Sequence, residues 1–206
     1  MIVIIDYGMG NPGSIHNMLN RIGAPSEITS DPRKIGLADK LILPGVGAFD
    51  RAVQSLDRLG LIPLLNERVL EQKVPILGIC LGMQLFCLRS EEGELPGLGW
   101  IDAETVRFAF EGENAVLKIP HMGWNTIEVR RSSPILDDRH EESHFYFVHS
   151  YHVRCADEAN VLATTRYGIV FHAAVIRGNI MGTQFHPEKS HKFGLKLLKN
   201  FTDMPA

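Results

Sequence analysis

The sequence predicts an α/β fold built on a mainly parallel sheet. Short apolar segments alternate with amphipathic segments through the first half of the 206-residue chain, which is typical of successive strand-helix units. The segment VPILGI at 74–79 has almost no polar residue, as expected for a strand buried on both faces. Short strand-like segments follow each other in the second half, so we expect an antiparallel portion there.

The first half supplies the predicted strand-helix units in order. The apolar segment at 2–5 is a predicted strand, and the next helix is marked at 14–22 by apolar residues spaced i, i+3, i+4 and i+7. Further strands are predicted around Ile28 and at 41–43 and 74–79, and further helices begin at Pro32, at 48–59, at 61–72 and in LGMQLFCL at 81–88.

The second half supplies the predicted antiparallel portion. Its strands are expected near 100–107, 126–130, 145–153, 161–166 and 169–176, and a final amphipathic helix is expected at 190–202. No repeat, low-complexity tract or linker interrupts the chain, so we expect residues 1–206 to form a single domain.

Composition narrows the class of protein. Hydrophobic residues make up 45% and charged residues 22%, with a formal net charge of −3 and no long basic block, so nucleic acid is not an expected partner. No segment approaches the roughly 18 apolar residues of a membrane span, and the first apolar segment is too short for a signal peptide. Three widely spaced cysteines favour a reducing, cytoplasmic location over a disulfide framework.

The opening segment carries a glycine pattern that is typical of dinucleotide-binding turns. Gly8, Gly10 and Gly13 are spaced G-x-G-x-x-G after a predicted strand, and Asp31 follows about 20 residues later. Pro12, however, removes an N–H from the loop that would have to hold a pyrophosphate. A nucleotide- or flavin-binding module remains the alternative function of a different class. Because Pro12 weakens the glycine pattern, however, we expect no cofactor.

The segment ILGICLGMQ at 76–84 predicts a nucleophile elbow. Gly78-x-Cys80-x-Gly82 lies where a buried strand meets a predicted helix, and glycines on both sides let a strained turn pass close to its neighbours. A helix N-terminus would favour the thiolate, and the Leu81 N–H could donate to an oxyanion. The alternative is a buried structural cysteine, which is the preferred interpretation for Cys87 and Cys155.

Two further segments could complete the chemistry of a cysteine nucleophile. In QFHPEKS, His186 is a candidate base, and Glu188 lies two residues later on the same side of an extended segment. The loop LPGVGAF at 43–49 follows the third predicted strand and could supply a second oxyanion donor at the same sheet edge. A metal site built from His140, His144, His149 and His152 is a weaker alternative, and we expect none.

These motifs resemble the class I (triad) glutamine amidotransferases. YGMGN, LPGVGAFD, CLGMQ, IPHMGWN, FYFVHSY and FHPEKS occur in an order that is similar, more narrowly, to the glutaminase subunits of imidazole glycerol phosphate synthases. The resemblance covers residues 2 to 201 and implies a flavodoxin-like fold. It also implies hydrolysis of glutamine to glutamate and ammonia, with the ammonia channelled to a cyclase subunit, a (β/α)₈ barrel that makes imidazole glycerol phosphate and AICAR in histidine biosynthesis.

The resemblance implies a role for each matching residue. The catalytic residues would be Cys80, His186 and Glu188, and the oxyanion hole would comprise Val46, Gly47 and Leu81. The substrate glutamine would be held by Gln84, Ser150 and Tyr151. The contact with the cyclase in a heterodimer would lie near Asn11, His121, Trp124 and Lys189.

Two alternatives stay open within this resemblance. Pro12 stands where the family usually has an apolar residue other than proline. The tail SHKFGLKLLKNF and the segment GWIDAETVRF resemble a paralogous branch. That branch supplies ammonia for the amidination of surface-polysaccharide sugars. A non-catalytic regulatory docking module would be favoured if a triad residue were missing, and none is.

Overall fold

A mixed sheet flanked by helices organises the computed structural model, which describes residues 1–136 and 143–205. In chain order the strands are β1 (Ile2–Ile5), β2 (Ser26–Thr29), β3 (Lys40–Gly45), β4 (Ile76–Cys80), β5 (Arg89–Ser90), β6 (Ala103–Arg107), β7 (His121–Thr126), β8 (Glu128–Val129), β9 (His144–His149), β10 (Tyr151–Cys155), β11 (Val161–Tyr167), β12 (Ile169–Arg177) and β13 (Ile180–Thr183). The α-helices are α1 (Pro12–Arg21), α2 (Pro32–Gly36), α3 (Phe49–Arg58), α4 (Leu61–Asn66), α5 (Leu81–Gln84) and α6 (His191–Asp203). A π-helical turn at Glu67–Glu71 extends α4, and 3₁₀ turns lie at Gly112–Val116, Glu158–Asn160 and Pro187–Lys189.

The sheet has a parallel half and an antiparallel half, as the sequence predicted. Its order is β2-β1-β3-β4-β13-β12-β10-β6-β5, and the first five of these strands are parallel. Strands β12, β10 and β6 continue the sheet in antiparallel pairs, while β11 pairs with β12 and β8. Strands β7 and β9 form a separate antiparallel ribbon. The predicted α/β class is therefore confirmed.

Two hydrophobic cores lie on opposite faces of the parallel half. Alternate residues of β1 point to opposite faces, so that Val3 belongs to one core and Ile4 to the other. Leu56 of α3 packs into the first core, whereas Leu19 of α1 and Phe201 of α6 pack into the second. Because both faces are covered, the central strands are almost entirely apolar.

The helix after Cys80 is shorter than predicted. The sequence predicted a helix over 81–88, but α5 ends at Gln84 after one turn. The chain then turns, and the Leu88 N–H donates to Ala103 O at 2.9 Å, which leads into the pairing of β5 with β6. The helix prediction is wrong beyond Gln84 because this distant strand pairing overrides the local apolar spacing.

The strand prediction in the second half is also incomplete. The single strand predicted at 145–153 is two strands, since the chain leaves the β7–β9 ribbon at Ser150 and enters the main sheet as β10. Neither β7 nor β13 was predicted. Strand β13 is only four residues long and contains Gly182, so its local signal is weak.

None of the helices in the described part of the chain has both the length and the apolar character that crossing a membrane would need.

Candidate active site

The elbow at Cys80 has the strained geometry that its sequence predicted. Cys80 ends β4 with φ 55° and ψ −110°, a conformation that residues other than glycine rarely adopt. A Cβ on Gly82 would lie 1.9 Å from Leu43 O, and one on Gly78 would lie 2.6 Å from the Phe86 ring. The two glycines are therefore required because the elbow presses against β3 and the aromatic core.

His186 reaches the elbow from the neighbouring strand. Strand β13 is parallel to β4 and pairs Thr183 with Ile79, so the segment that follows β13 runs past Cys80. The His186 N–H donates to Tyr146 O at 2.9 Å, and Ser190 Oγ donates to His186 O at 2.6 Å. These bonds fix the His186 segment against β9.

Glu188 orients the imidazole. Its Oε1 lies 2.7 Å from His186 Nδ1, and both side chains are buried. The other ring nitrogen, Nε2, is buried without a hydrogen-bond partner among the described residues, as is Glu188 Oε2. Burial opposes charge on the ring, but interactions with Cys80 and Glu188 outweigh it and raise the pKa of His186 above its usual value. The arrangement therefore favours an imidazolium beside the sulfur.

A cavity of about 320 Å³ opens beside the sulfur. It is lined by Val46, Gly47, Cys80, Leu81, Gln84, Glu92, Pro120, Val148, His149, Ser150 and Tyr151. All six residues predicted for the oxyanion hole and for glutamine binding are thus brought to one cavity. Leu81 is the first residue of α5, so its N–H has no acceptor within the helix.

Sequence reasoning missed Glu92 as part of this cavity. Glu92 lies between β5 and β6, and its Oε2 accepts a hydrogen bond from Phe49 N–H at 3.0 Å. Asp50 fixes the same loop by accepting the N–H groups of Glu94 and Leu95, each at 3.0 Å. Burial raises the pKa of the Glu92 carboxyl. No local pattern signals this role, because the bonds that hold the loop at the cavity include bonds to α3, which is distant in the sequence.

The residues predicted near a partner differ in exposure. Trp124 is 48% exposed and stacks on His191 with an interplanar angle of 4°, while Lys189 Nζ lies 5.6 Å from the Tyr146 ring centroid. Asn11 is exposed and caps α1 by accepting the Ser14 N–H at 3.2 Å.

His121 differs from the other three because only 3% of it is exposed. Its Nδ1 lies 3.0 Å from Nε2 of His149. It supports the β7 surface from beneath, since residues alternate between the two faces of a strand.

The histidines considered for a metal site do not form a cluster of metal ligands among the described residues. Among the described residues, no group of three or more histidine, cysteine, aspartate or glutamate side chains is arranged to hold a metal ion. His140 lies outside those residues. His149 and His152 are buried, which lowers their pKa values to about 3 and about 4, and burial lowers that of His121 to about 4.

These buried histidines predict a loss of stability in mild acid. The unfolded chain binds protons at histidine near pH 6.5, whereas His121, His149 and His152 stay neutral in the fold until about pH 4 or below. As the pH drops below about 6.5, the free energy of unfolding should therefore fall by up to about 1.4 kcal/mol per pH unit for each of these three histidines. His186, whose pKa is raised, contributes its own loss only on the other side, as the pH rises above 6.5.

Urea unfolding between pH 7.5 and 5 measures this loss of stability. This pH interval lies above the usual pKa values of carboxyl groups, so the histidines dominate the change. A His152→Gln variant should show a shallower decline than the unchanged chain. An unfolding free energy that stays constant from pH 7 to pH 5 would contradict the prediction.

Comparisons with known proteins match nearly the whole chain. The family model for glutamine amidotransferase class-I matches residues 3–204. The chain is 55% identical over 201 residues to imidazole glycerol phosphate synthase subunit HisH 2 of Methanococcus maripaludis, with 98% of each chain covered. It is 50% identical over 204 residues to the subunit HisH 2 of Pseudomonas aeruginosa, covering 99% of this chain and 100% of the relative.

Solved structures share the fold at lower identity. A crystal structure of a glutamine amidotransferase superposes with a TM-score of 0.75 at 22% identity, covering 98% of this chain and 97% of the other. The structure of PurLQS from Thermotoga maritima gives a TM-score of 0.72 at 16% identity, with 97% and 96% covered. At these identities, the likeness supports the fold alone.

Proposed function

Because the chain belongs to the class I glutamine amidotransferase family, we propose that it is the glutaminase subunit of an imidazole glycerol phosphate synthase. It hydrolyses glutamine to glutamate and ammonia and serves histidine biosynthesis in the cytoplasm. The observation that carries the proposal is that Cys80, which lines the cavity, interacts with His186, and that His186 Nδ1 is paired with Glu188.

The geometry supports a covalent mechanism. The Cys80 sulfur attacks the glutamine carboxamide carbon, and the oxyanion that forms is stabilised by the N–H groups of Leu81 and of the Val46–Gly47 loop. His186 gives a proton to the departing ammonia, which leaves a thioester on Cys80. His186 then takes a proton from water, which attacks the thioester and releases glutamate.

Glu92 is proposed to bind the ammonium group of the substrate glutamine, because it is the acidic side chain of the cavity lining. Glu92→Gln should raise KM for glutamine about 10- to 100-fold with little change in kcat, since a charge-assisted hydrogen bond present throughout the reaction is lost. The amide oxygen still accepts the Phe49 N–H. Steady-state kinetics measures the effect, and Glu94→Gln, on an exposed residue outside the cavity, is the matched control. A KM unchanged by Glu92→Gln would contradict this role.

The cyclase partner is proposed to dock on the face that presents Trp124 and Lys189 next to the catalytic turn. Met122, 62% exposed, shares the outward side of β7 with Trp124, and Lys189 follows Glu188 directly. Asn11 at the start of α1 belongs to the same proposed contact. Docking there would let ammonia pass to the cyclase active site before it is protonated in bulk water.

The test mixes the chain with glutamine and the histidine-pathway cyclase with its ligand and measures glutamate release. We expect little hydrolysis by the chain alone and strong stimulation by the cyclase. If the cyclase neither binds nor stimulates the chain, the histidine assignment is wrong. A second candidate function is then ammonia supply to a paralogous cyclase, as in the amidination of polysaccharide sugars. The tail SHKFGLKLLKNF and the segment GWIDAETVRF, which resemble that branch, favour keeping this candidate.

A further inference from the structure

Gln184 is a fully buried amide beside the catalytic sulfur. Because Thr183 pairs with Ile79 across parallel strands, the next residues along the chain, Gln184 and Cys80, are also neighbours. Gln184 Nε2 lies 3.6 Å from Cys80 Sγ as a hydrogen-bond donor, and its Oε1 accepts from Gln84 Nε2 at 3.0 Å.

The carbonyl of Tyr151 sets the direction of these hydrogen bonds. A carbonyl oxygen can only accept, and this one receives Gln84 Nε2 at 3.1 Å and His149 Nδ1 at 2.7 Å. Gln84 therefore presents its NH₂ group to both Tyr151 and Gln184. Gln184 must then present its oxygen to Gln84 and its NH₂ group to Cys80, since the reverse orientation would bring two NH₂ groups together.

The Tyr151 carbonyl also determines the tautomers of His149 and His121. With Nδ1 donating to Tyr151 O, His149 accepts at Nε2 from His121 Nδ1 at 3.0 Å, and His121 accepts at Nε2 from Asn125 Nδ2 at 3.3 Å. Burial lowers the pKa values of both rings, so they remain neutral at neutral pH and keep these tautomers. The Gln184 N–H at the sulfur is thus the last in a series of hydrogen bonds between neutral groups.

We propose that Gln184 is a further catalytic residue, which donates an N–H to the Cys80 thiolate and holds the sulfur in position for attack. This rests on the proposed function, in which Cys80 is the nucleophile. A hydrogen bond to a charged acceptor is stronger than one to a neutral acceptor, so the bond favours thiolate over thiol. The titratable groups that interact with the sulfur from other elements are His186 after β13 and Tyr7 after β1. Glu92, His149 and Tyr151 line the same cavity as Cys80.

The test measures the rate of Cys80 alkylation by iodoacetamide against pH on the free chain, with the modified cysteine located by mass spectrometry. Gln184→Glu keeps an oxygen for Gln84 but removes the N–H at the sulfur, whereas Gln184→Met removes both bonds. Both variants should move the alkylation midpoint upward by about one pH unit, so that the alkylation rate falls about tenfold at pH values below the midpoint. With the cyclase present, kcat should fall about tenfold while KM for glutamine stays within about threefold.

Gln54→Glu is the matched control, because this exposed glutamine on α3 lies outside the cavity and should leave the midpoint unchanged. Thermal unfolding establishes that each variant is folded. An unshifted midpoint in folded Gln184→Glu or Gln184→Met overturns the proposal. Failure of the unchanged chain to hydrolyse glutamine with any cyclase would overturn the proposed function instead. The midpoint of Cys80 alkylation still decides the role of Gln184 in that case, because alkylation needs neither glutamine nor the partner.

Discussion

Cys80→Ala is expected to abolish glutamine hydrolysis, lowering kcat by about 10⁴-fold or more, because no other group of the cavity can form the thioester. The fold should survive, since alanine fits the buried end of β4. The measurement is glutamate release in the presence of the cyclase, together with the loss of the covalent glutamyl adduct in mass spectra. The same variant should still bind the cyclase, which separates a lost nucleophile from a lost docking surface.

The other two cysteines supply the control for this experiment. Burial raises the pKa values of Cys87 and Cys155 to about 12, so both stay thiols at neutral pH and neither lines the cavity. Cys155→Ala should therefore change kcat by less than about threefold. Hydrolysis by Cys80→Ala at the rate of the unchanged chain would contradict the assignment of the nucleophile.

Gly82→Ala is expected to have the second largest effect, on stability and activity together. The added Cβ would lie 1.9 Å from Leu43 O and 2.9 Å from Leu43 C, and both atoms belong to the backbone of β3. The elbow or the central strand must shift, at a cost of about 3 kcal/mol in the free energy of unfolding. For a chain of this size, that cost corresponds to a melting temperature lower by about 6–12 °C, measurable by calorimetry.

Gly13→Ala is the matched control for the glycine at the elbow. A Cβ at Gly13 would meet only Asn11 Oδ1, at 3.8 Å, and the residue lies in the first turn of α1. This substitution should be neutral or stabilise the chain by about 0.4–1 kcal/mol. A Gly82→Ala variant as stable as Gly13→Ala would show that the elbow can relax without loss.

The sequence predicted the elbow well because its signal is local. Gly78 and Gly82 lie two residues on either side of Cys80, and this spacing recurs where a strand turns sharply into a helix at a nucleophile. The pairing of His186 with Glu188 is local for the same reason, since the two residues are only two positions apart. The α/β class also followed from patterns within single segments.

What the sequence could not predict depends on strand order and on loops fixed by distant contacts. Gln184 lies beside Cys80 only because β13 is inserted between β4 and β12, and no local pattern identifies that order. Glu92 reaches the cavity through its bond to α3. The opening glycines followed a cofactor pattern, yet a Cβ on Gly10 would lie 3.0 Å from Pro44 Cβ, so this glycine allows close packing against the end of β3.

The late position of β13 in the chain has a consequence for synthesis on the ribosome. Strands β1 to β4 are all translated before residue 81, but the neighbour that β4 needs on its other side emerges about 100 residues later. A nascent chain therefore contains Cys80 about 100 residues before it contains His186. The edge of β4 stays unpaired until β13, its neighbouring strand, has been translated. Cys80 and His186 can therefore meet only after residue 186 has been translated, so the order of translation delays assembly of the proposed catalytic pair.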